Sequence, residues 1–352
     1  MDINNKKILL MMPHFYDLAN QVKNELINQG AEIIHIESKI LKEDYKNRKD
    51  IASFLSFILN PFYKKKYTQK VIQTIKGQKF DVFFVIGIYA GKTSLIDYLK
   101  SQNKEIKTVI YFWDAFITWD FSQYINKFDY RYSFDRLDCM KYENKNLFYL
   151  PLFYVDDTLV RDKKYDIVHI GTLGPKYNKR IFVLNQIFTD ARRYSLNVFI
   201  RSYANLLNSS FFTKRSLKRT FFDRLNYASN KLFRNHIKEL KKYKNSGIIF
   251  DTILDTHTSH EIEKSAKCIL DINIENAGIA YRVINSLANR SKVITTNKHI
   301  KDEVFYHPDN ILIIDKHCPV LDTTFMNKPF KEINISQLKI DNWLKTIFNF
   351  PE

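Results

Sequence analysis

The sequence predicts an α/β fold: two doubly wound, Rossmann-like domains in succession. Three observations predict it. Short apolar runs alternate with segments whose apolar residues recur at helical spacing. Several runs are apolar throughout, as strands buried on both faces of a parallel sheet must be. The series restarts after a polar stretch in mid-chain, and 352 residues, 45% of them hydrophobic, suffice for two domains of ordinary size.

The first series opens with KILLMMP, a strand. A helix from Asp17 to Gln29 follows, with Leu18, Val22, Leu26 and Ile27 on one side, and Gly30 is placed to stop it. AEIIHIES gives the second strand. Two helical stretches, Ile51 to Leu59 and Tyr67 to Ile75, precede the strand candidates FDVFFVIG, IKTVIYFW, DYRYSF and NLFYLPLF. The charged segment from Val155 to Lys164 reads as a linker. The second series runs through YDIVHIGT, SLNVFIRS, SGIIFDT, KCILDINI, SKVITTN and NILIIDK. A tail from Ile333 to Phe350 carries Leu338, Ile340, Trp343, Leu344, Ile347 and Phe348 at helical intervals, suited to packing across the junction.

Composition narrows the function. Cys139, Cys268 and Cys318 are too few and too scattered for a CxxC metal pair or a disulfide framework. The apolar run at the N-terminus is too short for a signal-peptide core. No stretch approaches the ~20 apolar residues of a spanning helix. These features point to a reducing, cytoplasmic setting. GxGxxG and Walker loops are absent from the sequence. THTSHE, with His257 and His260, does not have zinc-site spacing.

In open parallel sheets, ligands lie beyond the carboxyl ends of the strands, where helix N-termini attract phosphate. In the first domain those positions hold His14, Phe15, Asp17, Tyr89 and Asp114; in the second, Gly171, Thr172, Arg201, Asn276 and Gly278. His14 beside Asp17, or Asp114, could act as general base; helix capping is the competing role for each. Arg282, on the helix entered from the Asn276–Gly278 loop, could grip a diphosphate. With only eight glycines, about a third of the usual share of roughly 7%, those at strand ends suggest close backbone approach to a ligand.

The formal net charge is +17, and much of it falls between Lys214 and Lys244, where eleven basic residues face Asp223 and Glu239 with phenylalanines interleaved. That composition suits an anionic membrane face better than nucleic acid, for which no recognisable motif is present; an ordinary solvated helix face is the plainer alternative.

FDYRYSFDRLDCMKY, LFYLPLFYVDD, YDIVHIGT and GIAYRVINSLANRSKVITTNKHIKDEVFYHPDNILIID together resemble the bacterial glycosyltransferases of surface-polysaccharide loci, the CgeB-like, group-1-like branch, from roughly Asp81 onward. The resemblance implies a GT-B fold. An N-terminal acceptor domain (1–155, joined by a returning C-terminal helix, 333–352) then faces a donor domain (165–332) across a cleft. It implies that Gly171, Thr172, Arg180, Arg201, Asn276, Gly278, Arg282, Thr296 and Asn297 bind the donor, and that Phe15, Asp17 and Tyr89 face the acceptor. Asn285 stands where related enzymes often have Glu, and Ala288-Asn289-Arg290 where they have Ala-Gly-Lys. The expected activity is transfer of a sugar from a nucleotide-sugar to a lipopolysaccharide or capsular glycan, with no cofactor and no obligatory metal, at the inner face of the cytoplasmic membrane. The alternatives are a non-catalytic sugar-nucleotide or glycan-binding protein and a basic nucleic-acid-binding protein.

Overall fold

The computed structural model describes the chain except residues 15–16, 39–50, 119–120, 156–161, 175–177, 205–230, 275 and 351–352, and except the side chains of 51–61, 178 and 231–233. Within it, twelve strands form two six-stranded, all-parallel sheets.

The first sheet comprises β1 (Lys7–Met12), β2 (Glu32–Glu37), β3 (Val82–Ile86), β4 (Lys107–Phe112), β5 (Tyr130–Ser133) and β6 (Leu147–Tyr149), in the order β2-β1-β3-β4-β5-β6. Helices cover both faces, so Ile8 to Met12 and Val82 to Ile86 are wholly inaccessible, as their unbroken apolar runs require. Helix α1 (Leu18–Asn28) buries Leu18, Ala19, Val22 and Leu26. It ends in a Schellman motif: Gly30 has φ +88°, its N–H donates to Ile27 O, and the Ala31 N–H donates to Leu26 O. The two helical stretches expected after β2 are one helix, α2 (Ile51–Thr74), which runs through Pro61. No glycine interrupts the segment, and a proline inside a helix can be absorbed as a local irregularity. Helix α3 (Thr93–Gln102) and the short α4 (Arg136–Lys141) complete this half.

The second sheet contains β7 (Tyr165–Thr172), β8 (Val198–Tyr203), β9 (Ile249–Phe250), β10 (Ala266–Asp271), β11 (Lys292–Thr295) and β12 (Ile311–Ile313), ordered β12-β11-β10-β7-β8-β9. Its helices are α5 (Asn178–Arg193), α6 (Lys231–Lys242), α7 (Thr256–Lys264), α8 (Tyr281–Ala288) and the short α9 (Thr323–Asn327). Strand order reverses between β1 and β3 in the first sheet and between β7 and β10 in the second. Those are the two switch points at which parallel sheets open a crevice.

The last helix, α10 (Ile340–Phe348), returns to the first sheet. Tyr154 pairs with it on both sides, its N–H donating to Leu338 O and its carbonyl accepting from the Ile340 N–H. Trp343 is fully buried; its indole N–H donates to Pro151 O at 2.9 Å and its ring stands edge-on to Tyr111. One buried cluster runs from Tyr132, Phe134 and Phe153 through Trp343 and Ile347 to Ile279, Val283, Ile284 and Phe305. Apolar packing therefore continues from one sheet to the other.

Candidate functional site

At the end of the first sheet, β1 delivers His14, which is exposed, with its ring 5.3 Å from and edge-on to that of His35. His35 is held below its ordinary range by burial, with the charge of His14 adding to the effect, while its Nε2 lies 3.0 Å from Met12 O. Asp17 precedes α1 without capping it through its side chain; its carboxylate accepts from Asn20 Nδ2 at 2.8 Å. Asp114 follows β4 and is half-buried. Strands β1 and β4 are separated only by β3, so their ends stand roughly 10 Å apart. Phe15 lies outside the described residues.

Tyr89 does not face an acceptor. It is inaccessible, packed edge-on against Phe83, Tyr124 and Phe128, and its hydroxyl donates to Lys92 O at 2.6 Å. Burial holds that phenol well above its ordinary range. The strand-end glycines of this sheet serve the same aromatic packing. A Cβ on Gly87 (φ +83°) would overlap the Trp113 indole, and one on Gly91 would crowd the Tyr89 ring. The close approach expected of a ligand is made by neighbouring side chains.

The end of the second sheet is charged. Gly171 and Thr172 are the last residues of β7, paired with Ser202 and Tyr203, as the strand reading of YDIVHIGT expects. A Cβ on Gly171 would lie 2.9 Å from His169 Nε2 and 3.6 Å from Arg282 Nη1. Glycine here leaves room for the imidazole and sets the guanidinium beside bare backbone. His169 is buried, its Nδ1 lies 2.7 Å from Leu270 O, and burial together with the charges of Arg282 and Arg180 lowers its pKa to about 3. It is therefore neutral. Arg282 Nε lies 3.8 Å from Asp271 Oδ1 at the end of β10.

Arg201 points away from this cluster: its guanidinium stacks on Phe250 at 4.2 Å and donates to Thr252 Oγ1 at 2.7 Å. It braces the sheet edge. Asn276, Thr296 and Asn297 shape the 273–278 loop. Asn276 Oδ1 accepts from Asn273 Nδ2 at 2.6 Å and from the Gly278 N–H at 3.2 Å. Thr296 Oγ1 accepts from the Asn273 N–H at 2.8 Å. Asn297, buried, donates to Gly278 O at 3.1 Å and caps the following 3₁₀ turn through the His299 N–H. Its side chain is committed to the loop and to the cap. Two residues past Gly278, Ala280 is the N-cap of α8; its methyl offers no capping acceptor, and the helix carries Arg282 in its first turn. The start of α8 therefore has no side-chain cap and carries Arg282, which approaches Gly171 near the end of β7; free N–H groups and the helix dipole at such an end favour negative charge.

Sequence reasoning missed His169, Asp271, Phe134 and Asp135. Asp271 had a signal, an acid at the end of an apolar strand. Asp135 had one too, an N-cap in SFDRLD.

No protein-family model matches the chain, and no curated protein matches it in sequence. Solved structures match it by shape. One is trehalose-6-phosphate synthase, from work on enzymatic glycosyltransfer with retention using bisubstrate glycomimetics: TM-score 0.51, 9% identity, 88% of each chain covered. The fold is GT-B. Two further structures match at lower TM-score, 0.48 each. They are Methanocaldococcus jannaschii UDP-GlcNAc 2-epimerase in complex with UDP-GlcNAc and UDP (11% identity, 97% of this chain and 99% of that one) and Anabaena HepE in complex with UDP and glucose (8%, 97% and 89%). In this GT-B chain each sheet has one switch point, β1/β3 and β7/β10. Among the described residues, no helix is long and apolar enough to cross a membrane.

Proposed function

We propose that this GT-B protein is a glycosyltransferase that takes a nucleotide-sugar on its second domain (165–332) and passes the sugar to a glycan held by the first (1–155 with 333–352). The observation that carries this reading is the N-terminus of α8 beside Arg282 and Gly171. As the bond from the anomeric carbon to the diphosphate breaks, negative charge grows on the leaving oxygen; Arg282, the start of α8 and, behind them, Arg180 stabilise it. That arrangement serves where other enzymes use a metal ion, so the reaction needs none. The acceptor hydroxyl attacks the anomeric carbon and gives its proton to His14 or Asp114, which flank the opposite switch point. Neutral His169 keeps a competing positive charge out of the floor of the site.

The acceptor we propose is a lipopolysaccharide or capsular glycan on the inner face of the cytoplasmic membrane. The Lys214–Lys244 segment would meet anionic lipid; of it, residues 214–230 lie outside the described residues, and α6 presents Lys238, Lys241 and Lys242. The test is incubation of the purified protein with a panel of nucleotide sugars and acceptor glycans, with and without EDTA, following nucleotide release. Release with one pair, unaffected by EDTA, supports the reading. Binding without release makes the chain a sugar-nucleotide-binding protein instead. Salt-sensitive retention of DNA or RNA with no nucleotide-sugar binding overturns both.

A further inference from the structure

Three consecutive residues at the end of β5 reach the second half of the molecule. The Phe134 ring occupies the space where a Cβ of Gly278 would stand. Asp135 Oδ2 accepts from the Ala277 N–H at 3.0 Å. Arg136 pairs with Glu303 at 2.9 Å while stacking on Tyr149, whose hydroxyl donates to the same carboxylate oxygen at 2.5 Å. Asp135 is 1% exposed, and its other oxygen accepts from the Leu137 N–H at 2.9 Å and the Asp138 N–H at 3.3 Å. A carboxylate taken out of water needs several donors, and this one obtains a third from the opposite domain.

From its own side the loop is held through other groups: Asn297 and Asn273 donate to the Gly278 carbonyl, Asn297 also to that of Ala277, and the Gly278 and Asn276 N–H groups donate to Asn276 Oδ1 and Asn273 Oδ1. Of the hydrogen bonds described for the Ala277 amide, the acceptor is Asp135. Two residues beyond Gly278 the chain enters α8 and reaches Arg282.

We propose that Asp135, backed by Phe134, is a positioning residue for the anion site. It fixes the 276–280 backbone, and thereby the start of α8, from the acceptor domain, so that affinity for a nucleoside diphosphate depends on the two domains being docked. This rests on the functional reading above. It goes beyond it in assigning control of the donor site to a residue of the other domain.

The test uses the full chain. In Asp135→Asn the remaining carbonyl oxygen can still cap α4 while the amide nitrogen opposes the Ala277 N–H, donor against donor. Hydrogen exchange at 276–280 is expected to quicken at least about tenfold while β1 and β3 stay protected, and affinity for the best of UDP, GDP, ADP and CDP to fall on the order of tenfold. Gly278→Ala should weaken binding similarly, and adding Phe134→Ala should restore it, a rescue that general loss of structure cannot give. A folded Asp135→Asn protein with unchanged exchange at 276–280, or with unchanged affinity, overturns the proposal. If Asp135→Asn fails to fold, the Gly278→Ala and Phe134→Ala pair decides: absence of rescue overturns it. A wild-type protein that binds none of the four nucleotides overturns the functional reading itself, with the exchange result still deciding the clamp.

Discussion

The two strand-end openings of this molecule are built by the same rule and filled with opposite chemistry. At β1/β3 the turns are packed with aromatic rings, Trp113 over Gly87 and Tyr89 over Gly91, with His14 exposed and Asp114 half-buried after their strands. At β7/β10 Gly278 again admits a ring, that of Phe134, but Gly171 stands against the neutral, buried His169 imidazole and the Arg282 guanidinium, which pairs with Asp271. Glycine at a strand end is thus no sign of a ligand by itself. At Gly87, Gly91 and Gly278 it admits a neighbouring ring, and of these strand-end glycines only Gly171 stands beside a guanidinium.

Four measurements bear on that contrast. The largest effect belongs to the first opening: of His14→Ala and Asp114→Ala, the one that removes the base lowers turnover about 10²–10⁴-fold with donor affinity kept. If neither changes turnover, the first opening holds no base. In the second opening, Arg282→Met removes the charge facing the leaving diphosphate and lowers kcat about 10²-fold, roughly 3 kcal/mol. An unchanged rate would make Arg282 only a partner of Asp271.

The third is a pH effect on stability. His169 and His236 are lowered by burial to about 3 and about 4 from an ordinary 6.5. Between those values and 6.5 the unfolded chain binds protons that the native state does not, so stability is complete above pH 6.5 and declines as pH falls toward 3. Urea midpoints across pH 4–8 should show this, and His169→Gln should flatten part of the slope, the rest belonging to His236. A slope that His169→Gln leaves intact would place a charged imidazole beside Arg282. The smallest effect tests the corrected residue: Tyr89→Phe loses one hydrogen bond to Lys92 O, about 0.5–1.5 kcal/mol by urea unfolding, with KM for the acceptor unmoved. A raised acceptor KM would return Tyr89 to the site.

Much of this was legible from residue order. The strand runs were readable because a parallel strand buried on both faces must be apolar throughout, and the helix ending at Gly30 because only a residue tolerant of φ +88° closes a Schellman motif there. Arg282 and Gly171 were legible by position, since strand ends and helix starts are where a parallel sheet opens. Tyr89 and Arg201 misled for one reason: a side chain just past a strand can point into the crevice or back into the layers, and periodicity does not distinguish the two. The unbroken α2 was missed because proline is read as a stop.

The sequence by itself determined two parallel sheets and an apolar-faced C-terminal helix, because burial and backbone geometry leave periodic marks. The tertiary structure alone decided which side chains share a space. Arg282 beside Gly171, Arg282 against Asp271, and Asp135 holding the Ala277 amide join residues more than a hundred, more than ten and more than a hundred and forty positions apart. Such contacts are set by how layers dock, and no local pattern along the chain records them.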